Sequence, residues 1–594
     1  MQFTRTRNLL IASAVVLIGL ATPAFSQTAA DASSKDSNKR DDVSLLKQQI
    51  AAQQKEIEQL RTIVDQMKQK LDQSPNPAQA TTTQAPNLGQ VASTSPMVPK
   101  GVPKTAASSD PNLMASAVIP PAASTPQPQT QKNDPEPPLQ LHIGDALLTP
   151  VGFMDFTGVF HNHAAGGSIG TSFGSIPYGS EYQTNLSETR FSMQNSRVGF
   201  RVDADVKGAH VIGYMEADFL GNNATNVAVT SNSNTLRSRL YWADIMKGKW
   251  EILGGQTWSL LTPGRVGISP LPADVFYTQD MDVNYQLGLF WGRIPELRFV
   301  YHPSEKAAFA VAIDSPDQYA GGSSGGPLIT LPSALSSTYS NELDTSTSSG
   351  GLGAPNVAPD VIAKIAIDPN KRVHFEIGGV ERNFKVWYPG VAAVAAVAAT
   401  ATTPAVPAVP AVPSATYSAE GGGGFLNLHV EIFKGFRLMT NNFWSDGGGR
   451  YIFGQAPDLV ANANGSISLI HSSSTVSGFE YSHNNTLIFA YYGGINVGRD
   501  VVIDTTGTLV GYGYTGAPNS QNRTIQEETL GFNQAIWKHP RYGAVSLIGQ
   551  YSYLTRDPWY VATGHPANAH LNEVFLDLRY TLPGSAPTIG KFAR

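Results

Sequence analysis

The residues with the most chemistry to offer are arginines at alternating positions. Arg190, Arg197, Arg201, Arg237, Arg239, Arg298 and Arg579 each fall on the polar side of a period-two pattern. Arg293 is ambiguous, because Pro295 disturbs its phase. Guanidinium groups stay charged and pair bidentately with carboxylates or phosphates. Rings of such cations favour anions in a pore. Glu216, Asp218, Asp203 and Asp577 share the same faces, so a paired wall charge is an equal reading for any single arginine. Five arginines from two neighbouring stretches, 190–201 and 237–239, are harder to assign that way.

Other chemistry finds little support. The chain has no cysteine, which excludes thiol catalysis and disulfides. His161 and His163 have no further ligand at metal spacing. No spacing singles out a serine nucleophile. The run Gly421–Gly424 is not followed by the Lys-Ser/Thr of a phosphate loop. We expect no enzyme and no cofactor. A net charge of −5 and the lack of a basic stretch argue against nucleic acid.

The arginines need elements that hold them on one face. In 188–219, Val198, Phe200 and Val202 alternate with Arg197, Arg201 and Asp203; after a turn at Asp205–Gly208, Met215, Ala217 and Phe219 alternate with Tyr214, Glu216 and Asp218. Strict alternation marks antiparallel strands with one apolar and one polar face. Similar segments recur to the end of the chain, joined alternately by tight turns and long loops. That is the signature of a transmembrane β-barrel, apolar toward lipid and polar toward a lumen. The reading gives about 16 antiparallel strands, an even number as bacterial barrels require. Strand four is expected at 235–246 with Arg237, Arg239 and Tyr241 on one face and Leu240 and Trp242 on the other. Strand six is expected at 285–301, and a loop through 421 is expected to contain the glycine run. A β-bulge is expected near Gln194–Ser196. Trp242, Trp250, Trp258, Trp444, Tyr491, Tyr492, Trp537 and Tyr553 are candidates for interfacial girdles. The connection 259–284 mixes apolar residues with proline and is expected to fold inward, bringing Arg265, Asp274 and Asp280 to a constriction with Tyr277 beside it.

The barrel is assigned to 141–594. Residues 1–26 read as a signal peptide, with Arg5 and Arg7 before an apolar run and Ala24-Phe25-Ser26 before cleavage. A short polar segment, 27–42, follows. Residues 43–73 carry an α-helical coiled-coil pattern, its core formed by Leu46, Ile50, Gln53, Ile57, Leu60, Val64 and Met67. Residues 74–140, rich in Pro, Ala, Ser, Thr and Gln, read as a disordered linker.

The segments S-R-V-G-F-R-V-D (196–203), R-S-R-L-Y-W-A-D (237–244), G-K-W-E-I-L-G-G-Q-T-W-S-L-L-T-P (248–263) and R-I-P-E-L-R (293–298) resemble the DcaP-like trimeric porins, as does the order of coiled coil, linker and barrel. The resemblance implies an outer-membrane homotrimer with a periplasmic N-terminal region. It also implies passive diffusion of small, preferably anionic solutes such as carboxylates, and basic residues at the constriction. Those map onto Arg197, Arg201, Arg237, Arg239 and Arg298. Two other functions remain open at this stage. One is a sugar-selective channel. The other is an envelope tether or adhesin, its coiled coil on peptidoglycan and its barrel an anchor in outer-membrane lipid.

Overall fold

Side-chain alternation fixes which way each strand faces, and backbone pairing then closes the sheet. The computed structural model describes residues 139–165, 169–179, 181–221, 234–275, 278–321, 328–336, 358–393, 395–396 and 410–583. The signal, coiled-coil and nearly all of the linker assignments, and Tyr277, lie outside these residues.

Sixteen antiparallel strands form the barrel. The first half comprises β1 (Ala146–His161), β2 (Glu188–Ser192 continuing as Arg197–Val206), β3 (Ala209–Asp218), β4 (Arg237–Lys247), β5 (Trp250–Trp258), β6 (Arg293–Ser304), β7 (Ala307–Asp314) and β8 (Asp360–Asn370). The second half comprises β9 (Val373–Tyr388), β10 (Ala415–Phe433), β11 (Phe436–Asp446), β12 (His471–His483), β13 (Thr486–Val497), β14 (Asn522–His539), β15 (Gly543–Pro558) and β16 (Ala569–Thr581). Each strand pairs with the next. β1 closes the ring by pairing with β16, from Phe153↔Thr581 to His161↔Glu573, and with both parts of β2 on its other edge. Closure leaves no strand edge unpaired, which is what lets a sheet cross lipid.

The outer face is apolar. Phe200 is 39% exposed and its neighbour Arg201 only 7%; Leu576 is 56% exposed and Asp577 1%. All short connections fall at one end of the barrel. Lys207 and Gly208, between β2 and β3, both take left-handed conformations (φ 50° and 76°), as a two-residue hairpin turn requires. The long connections lie at the other end.

Where a bulge is expected near Gln194–Ser196, β2 is instead interrupted by a turn between Ser192 and Arg197, closed by the Ser196 N to Met193 O bond (3.0 Å). Four further expectations need correction. Strand six begins at Arg293, not 285, because Tyr285 and Gly288 take left-handed conformations (φ 65° and 89°) that extended pairing cannot use. The glycine run is not loop; Gly421–Gly424 lie inside β10, where Phe384 at Gly421, the Val380 carbonyl at Gly422 and Phe443 at Gly423 occupy the space that side chains would need. In β4 a bulge opposite Glu216 and Ala217 shifts the phase. Arg239 and Leu240 are both buried, Tyr241 points outward (66% exposed) and Trp242 points inward (4%). Of the girdle candidates, Trp242, Trp258 and Tyr491 therefore face the interior, while Trp250, Trp444, Tyr492 and Trp537 are exposed on the outer surface.

Candidate functional site

The connection 259–292 between β5 and β6 folds into the barrel and bonds to its wall nearly all the way round. Gly264 N donates to both carboxylate oxygens of Glu376 on β9 (3.1 and 3.0 Å), and Gly267 N to Asp368 of β8 (2.9 Å). Arg265 grips Glu480 of β12 through both terminal nitrogens (3.2 and 2.8 Å), and Arg437 of β11 reaches the same carboxylate (3.0 Å). Burial works against the charge on Arg265, and the Glu480 carboxylate more than offsets it. Gln279 N donates to Tyr491 of β13 (3.0 Å), Leu287 N to Glu527 of β14 (2.8 Å) and Met281 N to Gln550 of β15 (2.7 Å). Gly493 lets the loop approach: a Cβ there would collide with the Leu287 carbonyl. Apolar contacts complete the seat. Leu271, Val275 and Leu289 pack with Leu240, Trp242 and Leu253 of the wall.

On one side the loop meets arginines. Arg239 is 1% exposed. It donates to Glu216 (2.7 Å), Asp218 (2.7 Å) and the Tyr285 hydroxyl (2.7 Å). Arg197 stands 3.6 Å from Glu216, and Arg237 pairs with Asp218 at 2.8 Å. Burial opposes ionisation of Tyr285, but Arg239, Arg197 and Arg293 together hold its phenol below the usual value. Four guanidiniums thus stand against two carboxylates. Arg293 stacks near the indoles of Trp258 and Trp291, 5.7 and 5.6 Å from their centroids.

The other side is acidic. Asp282 accepts from Thr171 N (2.9 Å), whose hydroxyl donates to Glu573 (2.7 Å), and His161 lies 3.3 Å from Glu573. Asp280 accepts from Gln550 (3.0 Å). Burial, and then the neighbouring Asp282 carboxylate, push Asp280 up to about 7. Among the described residues no group of three or more His, Asp or Glu could hold a metal ion.

The candidate residues therefore divide. Arg197, Arg237, Arg239, Glu216 and Asp218 come together around Tyr285. Arg201 pairs with its own strand neighbour Asp203 (2.6 Å), and Arg298 with Glu296 (2.5 Å) and the Trp258 carbonyl (2.8 Å). Arg190 sits near the long-loop end, paired with Glu188 (3.1 Å). Arg265 is on the opposite side, at Glu480. Arg239 and Arg298 (1% and 3% exposed) serve as buried anchors rather than open lining. Alternation gave no sign of Tyr285 or Trp291, which belong to the loop, and it marked Trp258, at the end of β5, only as a girdle candidate.

Apolar packing gathers at the long-loop end. Phe173 and Ile176 from 162–187, Ile329 and Leu335, Tyr451 and Ile452, and Val502 and Tyr512 form one buried apolar cluster with the upper wall. Two short hairpins, Leu459–Ala461 with Ile467–Leu469 and Asp500–Ile503 with Leu509–Tyr512, belong to it.

Among solved structures, the crystal structure of the outer-membrane channel DcaP of Acinetobacter baumannii is similar, at 16% identity and TM-score 0.51, over 74% of this chain and 97% of that one. The chain has the fold of an outer-membrane channel. OprB of Pseudomonas putida is less similar (11% identity, TM-score 0.39, 73% of this chain and 94% of that one). Similar values hold for OmpF of Salmonella typhi (8%, 0.38, 75% and 100%). No protein-family model and no curated protein matches the chain.

Proposed function

We propose that the protein is an outer-membrane porin for passive diffusion of small solutes, with a preference for anions such as carboxylates. The observation that supports this reading best is the channel-like barrel crossed by a loop whose one flank gathers four arginines against two carboxylates. A fixed positive excess at a narrow point lowers the energy of an anion there and raises that of a cation. The protein acts as a homotrimer, and its N-terminal coiled coil lies in the periplasm, where the short turns also fall. Solutes are its small-molecule partners. Outer-membrane lipid contacts the apolar face.

A second reading has one observation in its favour. The apolar cluster at the long-loop end narrows the mouth, as suits a barrel used mainly to anchor an envelope tether through the coiled coil.

Single-channel recording of the purified full-length protein in planar bilayers, with a salt gradient, decides between them. Three-step closure with a reversal potential on the anion side is expected. Absence of conductance would sink the porin reading and favour the tether.

A further inference from the structure

We infer that Arg293, rather than the more numerous arginines of the wall, is the specificity-determining cation that a passing anion meets directly. The inference rests on the porin reading above and names the residue on which its anion preference turns.

Each of the other guanidiniums of the cluster has a carboxylate within 4 Å, although the Nε of Arg197 is unbonded like that of Arg293. Arg239 has three partners at 2.7 Å, Arg237 makes two bonds to Asp218 (3.1 and 2.8 Å), and Arg197 has Glu216 at 3.6 Å and Tyr285 at 3.5 Å. Arg293 makes no ion pair among the described residues. Its Nε is buried without a hydrogen-bond partner. Its side chain is half-buried, opposite Trp258 in the β5–β6 register.

What holds Arg293 is aromatic. The faces of Trp258 and Trp291 lie within cation–π reach of it. Trp291 is itself backed by Phe453, centroids 5.4 Å apart and planes inclined by 27°, and Tyr285 packs edge-on against both indoles. Indole faces stabilise a guanidinium plane without using its in-plane N–H donors. Those edge donors are the ones that fit a carboxylate bidentately. Arg293 is therefore oriented by neighbours that form no ion pair with it, while Asp218 and the Tyr285 phenol attract it only from beyond contact distance, beside a cluster already richer in guanidinium than in carboxylate. Weak, reversible contact of this kind is what conduction needs, since an ion must leave as readily as it enters.

The test uses full-length protein in planar bilayers under a KCl gradient, with heat-modifiable migration on gels as the check on folding. Arg293→Gln should lower the chloride-to-potassium permeability ratio by about threefold to tenfold, the effect of removing one partly screened charge. Arg293→Lys should keep that ratio but lower the permeability of acetate relative to chloride, because an ammonium lacks the planar fork. If R293Q does not fold, the acetate measurement on R293K stands alone. An anion-selective wild type whose ratios are unmoved by R293Q, or by R293K with acetate, would overturn the role of Arg293 and leave the porin reading intact. A wild type that conducts without anion preference, or not at all, would overturn the reading on which the inference rests.

Discussion

Replacing Glu480 by Gln should loosen the inward loop without unfolding the barrel. The Glu480 carboxylate is 1% exposed and collects four bonds: two from Arg265, one from Arg437 and one from the Tyr491 hydroxyl at 3.0 Å. The amide keeps the size and one acceptor but loses the charge, leaving two buried guanidiniums facing each other. Removing one partner of a buried ion pair costs about 3–5 kcal/mol. The retained acceptor argues for the lower end, about 3 kcal/mol, and each 1.4 kcal/mol is about a factor of ten. The loop around Arg265 should therefore leave its seat about a hundredfold more often. Gly264 and Gly267 still hold to Glu376 and Asp368, so release is local and brief. The barrel, held by its continuous backbone ladder, should keep its heat-modifiable migration. Open-channel recordings should show added current noise and flicker. The reversal potential should stay put or move toward anions, since the lumen gains a positive charge. A folded E480Q channel with wild-type noise would refute the claim that this ion pair seats the loop.

Two further perturbations address the opposite side. Asp280 is held protonated by burial and Asp282, so its contribution to loop seating is fully present below its ordinary value of 3.8 and is lost as pH rises through about 7. Facing it are Asp282, Glu527, Glu573, Gln550 and Thr529, none of them cationic. Channel noise should rise between about pH 6 and 8 in wild type and become flat with pH in Asp280→Asn; pH-dependence that persists in D280N would place its source elsewhere. Gly493→Val should displace the loop at Leu287, where no Cβ fits, and change mean conductance while the barrel still assembles; a conductance equal to wild type would show that the loop and β13 do not approach so closely.

Much of the barrel was legible because lipid and lumen impose opposite solvents on adjacent residues. Val574, Leu576 and Leu578 against Glu573 and Asp577 illustrate the rule, and the turns at Gly208, Gly435 and Asn484 punctuate it. The rule failed where a third environment intervened. Leu240 and Trp242 are apolar yet point inward, because the loop covers that wall and Trp242 stacks on Tyr214 at 5.4 Å. The bulge at Arg239 was hidden for the same reason: on either side of it apolar residues are satisfied, by lipid or by loop, so the pattern carries no phase. Tyr285–Trp291 looked like strand because it is apolar, whereas its residues pack the lumen rather than face lipid.

These same contacts change how inward arginines translate into selectivity. The charges that seat the loop are themselves paired: Arg239 of the wall with Glu216 and Asp218, and Arg265 of the loop with Glu480. Such a pair acts on a passing ion only as a dipole, whose field falls off faster than that of a lone charge. A count of inward arginines therefore overstates the force on an anion. What remains is the charge that the fold orients without pairing. Around Tyr285 that residue is Arg293, with the partly exposed Arg237 as the next contributor, its side chain 38% exposed despite its bond to Asp218. Selectivity in this barrel should thus follow the few guanidiniums that the loop leaves free, and mutations at the paired ones should be felt first as loop motion.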